Sequence, residues 1–285
     1  MKPMLRPPAA MAIDFTSPVG EPALLAPNSV QWRVFKNPVA LAIGGVAAVL
    51  LEFADARIRS GVWDHSTYKT DPIGRSQRTA MAAMAGVYGP ASTARRVIGG
   101  VGRMHAKVWG TTPGGETYSA LDPVLLNWVY ATAQYGFLNA YHRFVAPLSA
   151  ADQARFWREG EPVALLYGVT RTPKSEADFM AMMGELLPCF EPHPILTEFL
   201  DIIESGRAAP SVPSFLHKSL ARAAVSLLPP AVRARLELGR RYDLGRRDRL
   251  MVAAMAKLAD RIKDRGSPAW QAAERLGLAG DTAWR

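Results

Sequence analysis

The sequence predicts an all-α protein, built as a single large multi-helix domain, on three observations. Apolar residues recur at helical spacing, as in Val97, Val101, His105 and Val108. Ala, Leu, Met and Arg dominate, whereas alternating β-branched runs are short. Helix punctuation recurs as well: Asn37-Pro38 and Asp122-Pro123 read as cap-then-proline starts, and Gly89-Pro90 as a stop. Hydrophobic residues make up 49% and charged residues 21%, so the 285-residue chain has enough apolar content for a substantial core and disorder is expected only at its ends.

Residues 1–30, rich in Pro and small residues and without periodicity, read as an extended N-terminal arm; 31–285 read as the helical domain. Asn37 caps a long small-residue helix over Val39–Ile58, whose Gly44-Gly45 pair permits close approach of another backbone or of a flat ligand. Asp64-His65-Ser66 falls in a turn-like stretch that runs through Gly74. A helix follows from Arg75 to Val87, and Ser92 or Thr93 opens the next, which carries His105. Its Gly99-Gly100-Val101-Gly102 run resembles a phosphate loop only superficially and reads as small-residue helix packing. Thr111–Tyr118 reads as a loop, and Asp122-Pro123 starts a helix through Trp128, Thr132 and Phe137 towards Val145. Further helices are expected at 150–167, 175–187, 194–205, 214–227, 229–239 and 246–264.

The charge is +9, and much of the excess lies late, in Arg233, Arg235, Arg240, Arg241, Arg246, Arg247 and Arg249. No nucleic-acid motif accompanies it, so nucleic acid is not the expected partner; a solvated basic face, with weak contact to an anionic surface as the alternative, fits better. The single cysteine, Cys189, excludes an intramolecular disulfide and any multi-cysteine metal site. The longest apolar run, Pro38–Leu51, is too short to span a bilayer as a helix, and the N-terminal segment lacks an apolar stretch leading to a cleavage site. A cytoplasmic protein is the expectation.

Arg75, Arg78 and Thr79 stand at i, i+3 and i+4 and share one helical face, which Ala82 and Gly86 continue with almost no bulk. Such a stripe could lie against a flat apolar ligand, with arginine and threonine at its polar end; spacing alone favours an ordinary surface helix. His105 has Gly102 and Trp109 one turn either side, and an imidazole on an apolar face can hold haem iron. By itself it is more simply a satisfied histidine, as are His65, His142, His193 and His217. HExxH, paired Glu-x-x-His, GxGxxG, Walker and GxSxG patterns are all missing.

In order along the chain, these segments resemble a known family. Trp32-Arg33-Val34, the Gly44-Gly45 helix, Gly61-Val62-Trp63-Asp64-His65-Ser66 and Asp71-Pro72-Ile73-Gly74-Arg75-Ser76-Gln77-Arg78-Thr79 carry the likeness. So do Met104-His105-Ala106-Lys107-Val108-Trp109-Gly110 and Gly115 through Val129. Together they are similar to the rubber oxygenase (latex-clearing protein)/MpaB domain family, most clearly over 31–200. The resemblance implies an all-helical fold with haem b held between helices, His105 as iron ligand, and Arg75, Arg78 and Thr79 as catalytic residues. Arg75, Gly86 and Gly45 would line the cofactor. Arg78 stands where rubber-cleaving members carry lysine, and arginine, unlike lysine, does not readily lose its proton to ligate iron. Asp55-Ala56 stands where many members have His-Pro. The family's proposed catalytic glutamate finds no matched position here; Glu52, Asp55 and Asp64 are the nearby carboxylates. The expected activity is that of a haem-dependent oxidoreductase or oxygenase using dioxygen on a hydrophobic small molecule, by C=C cleavage, dehydrogenation or hydroxylation. The alternatives are a non-catalytic haem- or lipid-binding helical protein and a basic interaction module working through the arginine-rich segment.

Overall fold

The computed structural model describes residues 13–207 and 212–284. Helices follow one another as α1 (Val30–Phe35), α2 (Pro38–Glu52), α3 (Ala56–His65), α4 (Pro72–Tyr88) and α5 (Ala91–His105). A two-stranded hairpin, β1 (Trp109–Thr111) and β2 (Thr117–Ser119), separates these from α6 (Pro123–Ala140), which continues as a π-helical turn at Tyr141–Val145. The remainder is α7 (Ala150–Glu159), α8 (Glu161–Leu166), α9 (Glu176–Leu186), α10 (Pro194–Glu204), α11 (Ser214–Val225), α12 (Pro230–Arg235), α13 (Arg246–Arg261) and α14 (Pro268–Arg275), joined by turns and short 3₁₀ segments. The all-α expectation holds.

Local chemistry sets the starts. Asn37 accepts hydrogen bonds from Val39 N and Ala40 N at 3.1 and 2.9 Å, with Pro38 as the first helical residue of α2. Asp122 accepts from Val124 N at 2.8 Å and opens α6 in the same way. Such a cap satisfies backbone donors that the first turn leaves orphaned.

Helix α2 is the centre of the fold, packed against α6, α11, α13 and α1. At its crossing with α6 the backbones touch: a Cβ on Gly44 would lie 2.6 Å from Gly136 O, and one on Gly136 would fall closer still to Gly44 O. The core around it is aromatic, with Trp32, Trp128, Trp157 and Phe179 all buried. Two buried indole nitrogens find backbone acceptors, Trp32 donating to Val87 O at 3.0 Å and Trp128 to Leu51 O at 3.2 Å.

Several boundaries depart from expectation. The helix expected over Val39–Ile58 is two helices, because Asp55 turns its carboxylate to Arg57 N at 2.9 Å and pairs its backbone with Phe190 in an isolated bridge. Helix α3 then absorbs Asp64 and His65, expected in a turn. Helix α4 begins at Pro72 rather than Arg75, since Asp71 caps it through Gly74 N at 2.8 Å. The loop expected at Thr111–Tyr118 closes as the hairpin, Gly110 opposite Tyr118. The stretch 150–167 breaks at Gly160, ahead of Pro162.

Within the N-terminal arm, residues 1–12 lie outside the described residues. From residue 13 the arm lies against the fold, with Phe15 and Leu25 buried. Arg275, itself buried, ties it down by donating to Phe15 O, Glu21 O and Tyr88 O at 2.7, 2.9 and 2.9 Å.

Candidate functional site

Glu52 at the end of α2 and His105 at the end of α5 both feel the charge of Arg75 at the start of α4. Helix α4 is launched by its Asp71 cap, which sets Arg75 on the first turn. The Arg75 guanidinium lies over the Tyr68 ring, 5.2 Å from its centroid, and donates to Thr79 Oγ1, which in turn donates to Arg75 O at 3.1 Å. Thr79 therefore orients Arg75.

Tyr68 is held by a buried aromatic box. Its ring packs edge-on to Phe53 at 6.4 Å and Phe199 at 5.6 Å and stacks on Trp63 at 6.4 Å. Burial pushes its phenol pKa up, against the pull of Arg75.

Glu52 is the last residue of α2, immediately before Phe53 of that box. Thr132 of α6 donates to Glu52 Oε1 at 3.3 Å. Desolvation pushes the carboxyl up to about 7, and the opposing effects of the Arg75 charge and the Thr132 hydrogen bond do not bring it back. A carboxyl so placed exchanges its proton near neutrality.

His105 ends α5 and is half-buried. Burial first, then the Arg75 charge, depresses its pKa, so the imidazole is neutral at neutral pH. Neither ring nitrogen makes a hydrogen bond with a described residue. One turn back, Gly102 faces open space: nothing lies within 4 Å of where its Cβ would be.

The sides leading to this cluster are apolar and only partly covered. Val46 and Val49 on α2 and Val101 on α5 are half-buried, as is Gly45, whose Cβ would touch only the Phe137 ring edge at 3.9 Å.

The residues singled out in the sequence thus fall into two groups. Arg75 and Thr79 are hydrogen-bonded to one another, and the Arg75 charge is felt at His105. Arg78 faces elsewhere: its guanidinium binds Thr67 Oγ1 at 2.5 Å and Asp71 Oδ2 at 3.3 Å, closing the turn before α4. Gly86 is taken up by packing, since a Cβ there would meet Val163 at 2.9 Å. The helix-packing reading of the α5 glycines gives way: Gly99 and Gly100 border only the Arg103 guanidinium and Gly102 borders nothing, so no neighbouring helix presses on them. His65 bonds the Tyr118 hydroxyl at 3.1 Å, His142 accepts from Leu148 N and His193 caps α10. Of the three nearby carboxylates, Asp55 is the α3 cap and Asp64 is exposed, which leaves Glu52.

Tyr68 and Thr132 were not legible as site residues. Glu52 had one signal, as the sole acid closing a long apolar helix.

Among the described residues no cluster of three or more His, Cys, Asp or Glu is placed to hold a metal ion, and no helix is long and apolar enough to cross a membrane. A family model described as "ER-bound oxygenase mpaB/B'/Rubber oxygenase, catalytic domain" matches residues 32–261. No curated protein and no solved structure gives a significant match.

Proposed function

This chain belongs to the family of mpaB and rubber oxygenase catalytic domains, and from that premise we propose that it is an oxygenase that holds haem b through His105 and acts on a hydrophobic small molecule. The observation that carries the reading is the His105 imidazole: half-buried, biased to its neutral form, and with neither ring nitrogen hydrogen-bonded to a described residue. A neutral imidazole with a free nitrogen is what an axial iron ligand requires. The bare flank at Gly102 and the half-buried Gly45 leave room for a flat apolar group. Gly86, pressed against Val163, and Arg78, tied to Asp71 and Thr67, have no part in this reading.

Haem, when bound, supplies the iron that activates dioxygen. The chain's own residues bind, orient and move a proton. The Arg75 guanidinium is fixed by Thr79 and Tyr68, so it can stabilise negative charge developing on a substrate oxygen without reorganising. Glu52, with a pKa of about 7, accepts or returns a proton at its carboxylate, and Thr132 steadies the ionised form. The half-buried Val46, Val49 and Val101 favour an apolar substrate. Oxidative C=C cleavage suits this set: both atoms of dioxygen end in two carbonyl groups, so no external reductant is needed.

The test is spectroscopic. The purified chain should show a Soret band and about one haem per chain by pyridine haemochrome, in line with one histidine that would hold it. His105→Ala should lose the haem while far-UV circular dichroism stays helical. A chain that neither retains nor takes up haem overturns the cofactor assignment. Oxygen uptake with unsaturated hydrocarbons, and carbonyl products by mass spectrometry, then separate cleavage from hydroxylation and dehydrogenation.

A further inference from the structure

The arginines of the C-terminal third divide sharply by what they touch. Arg222 is paired with Asp248 at 2.8 Å, Arg233 with Asp243 at 2.5 Å, and Arg241 with Asp201 and Glu204 at 2.9 and 3.2 Å. Arg235 is spent on the carbonyls of Phe190 and Pro188. Those of α13 are different: Arg246, Arg247, Arg249, Lys257 and Arg261 are exposed and make no ion pair or hydrogen bond with a described residue. The acids of the same helix point away, Asp248 to Arg222 and Ser219, Asp260 to Lys36 and Asn37. Asp264, just past the helix end, accepts from Gly266 N.

Between these cations stand aliphatic side chains in water. Leu250 is 72% exposed, Leu258 64% and Ile262 44%. At 3.6 residues per turn, Arg246, Lys257, Leu250, Arg261, Arg247 and Leu258 fall within a sector of about 120°. The opposite face is seated on the fold through buried Val252 and Ala256. The result is a fixed helix presenting one surface that is both cationic and greasy, with no carboxylate on it.

We infer that this outward face of α13 docks the protein on an anionic lipid bilayer, the helix lying in the plane of the interface. Unpaired cations meet lipid phosphates and carboxylates, while the leucines enter the headgroup–acyl boundary and the long Arg and Lys stems reach back to the polar layer. A nucleic acid would satisfy the charges but leave Leu250, Leu258 and Ile262 in water, and no aromatic residue stands on the face to stack on bases. The inference is independent of the oxygenase reading, because none of these residues belongs to the Arg75 cluster.

Vesicle co-sedimentation of the full chain tests it. Vesicles of phosphatidylcholine with a minority of phosphatidylserine should carry the chain down, phosphatidylcholine alone should not, and high salt should release it. Neutralising Arg247→Gln with Arg261→Gln should lower the partition coefficient about 30-fold. Leu250→Ser with Leu258→Ser should lower it about tenfold or more with the salt dependence unchanged. Circular dichroism monitors folding of each variant, and Arg246→Gln with Lys257→Gln provides a second neutralised pair should the first lose helicity. Equal binding to both vesicle types, binding to neither, or leucine variants that bind undiminished while duplex DNA competes would each overturn the proposal.

Discussion

The two neighbouring glycines of α2 do opposite things. Gly44 is pressed onto the backbone of Gly136, with no room for a single carbon, whereas Gly45 borders only the edge of Phe137. The first belongs to a dry seam where α2 and α6 are locked; the second lies on the half-buried side that leads, two turns later, to Glu52. One helix thus supplies a rigid anchor on one side and a half-buried flank on the other. Rigidity in the seam is what permits looseness at the site, since a group such as Glu52 can stay desolvated and unpaired by charge only if its helix cannot shift to relieve it.

The contrast can be broken most forcefully at the seam. Gly44→Ala should destabilise the fold by about 3 kcal/mol or more, because the clash is with backbone on a helix held from several sides. Urea unfolding measures this, and a loss below about 1 kcal/mol would mean that the seam yields.

The second test addresses Glu52. The folded carboxyl, at about 7, holds its proton more tightly than the unfolded one near 4.5. Folding therefore takes up a proton between those values, and stability falls as pH rises through that window, with the loss complete above about 7. Glu52→Gln removes the penalty: the variant should match the wild type near pH 4.5 and exceed it at pH 8 by up to roughly 3 kcal/mol. Its oxygenase activity should drop on the order of 100-fold and lose any inflection near neutrality. Equal stability differences at the two pH values would show that the carboxyl is not desolvated.

A pair of arginines separates site from scaffold. Arg75→Gln should reduce kcat/KM on the order of 100-fold. Arg78→Gln, which removes only the partly exposed bond to Asp71 and Thr67, should leave activity within about threefold and stability within about 1 kcal/mol. If the two variants behave alike, the partition of this helix face is incorrect.

The smallest effect belongs to Gly45. With open space beside it, Gly45→Ala should be neutral or stabilise the helix by about 0.5–1 kcal/mol, opposite in sign to its neighbour.

Much of this organisation is legible in the residues. Caps at Asn37 and Asp122, the Gly89-Pro90 stop and the 3.6 period of α5 define helices without reference to anything distant, because capping and periodicity act within a few residues. The Arg75–Thr79 pair is readable for the same reason, both residues lying on one turn. The break at Asp55 was not readable: its cause includes a backbone bridge to Phe190, far along the chain. The closure of Thr111–Tyr118 as a hairpin depends on Gly110 admitting the Tyr118 ring, a contact between strands.

By itself, then, the sequence determined the helical class, most of the helix starts, the family likeness and the arginine–threonine turn. Only tertiary structure decided which side chains share that space. Gly44 and Gly45 are chemically identical, as are Arg75 and Arg78, and nothing local distinguishes the members of either pair. The distinction arises from Gly136, Thr67 and Asp71 on one hand and from Tyr68, Glu52 and Thr132 on the other. Burial and field strength at a point are sums over everything nearby in space, and a linear chain does not carry those sums in the neighbours of one residue.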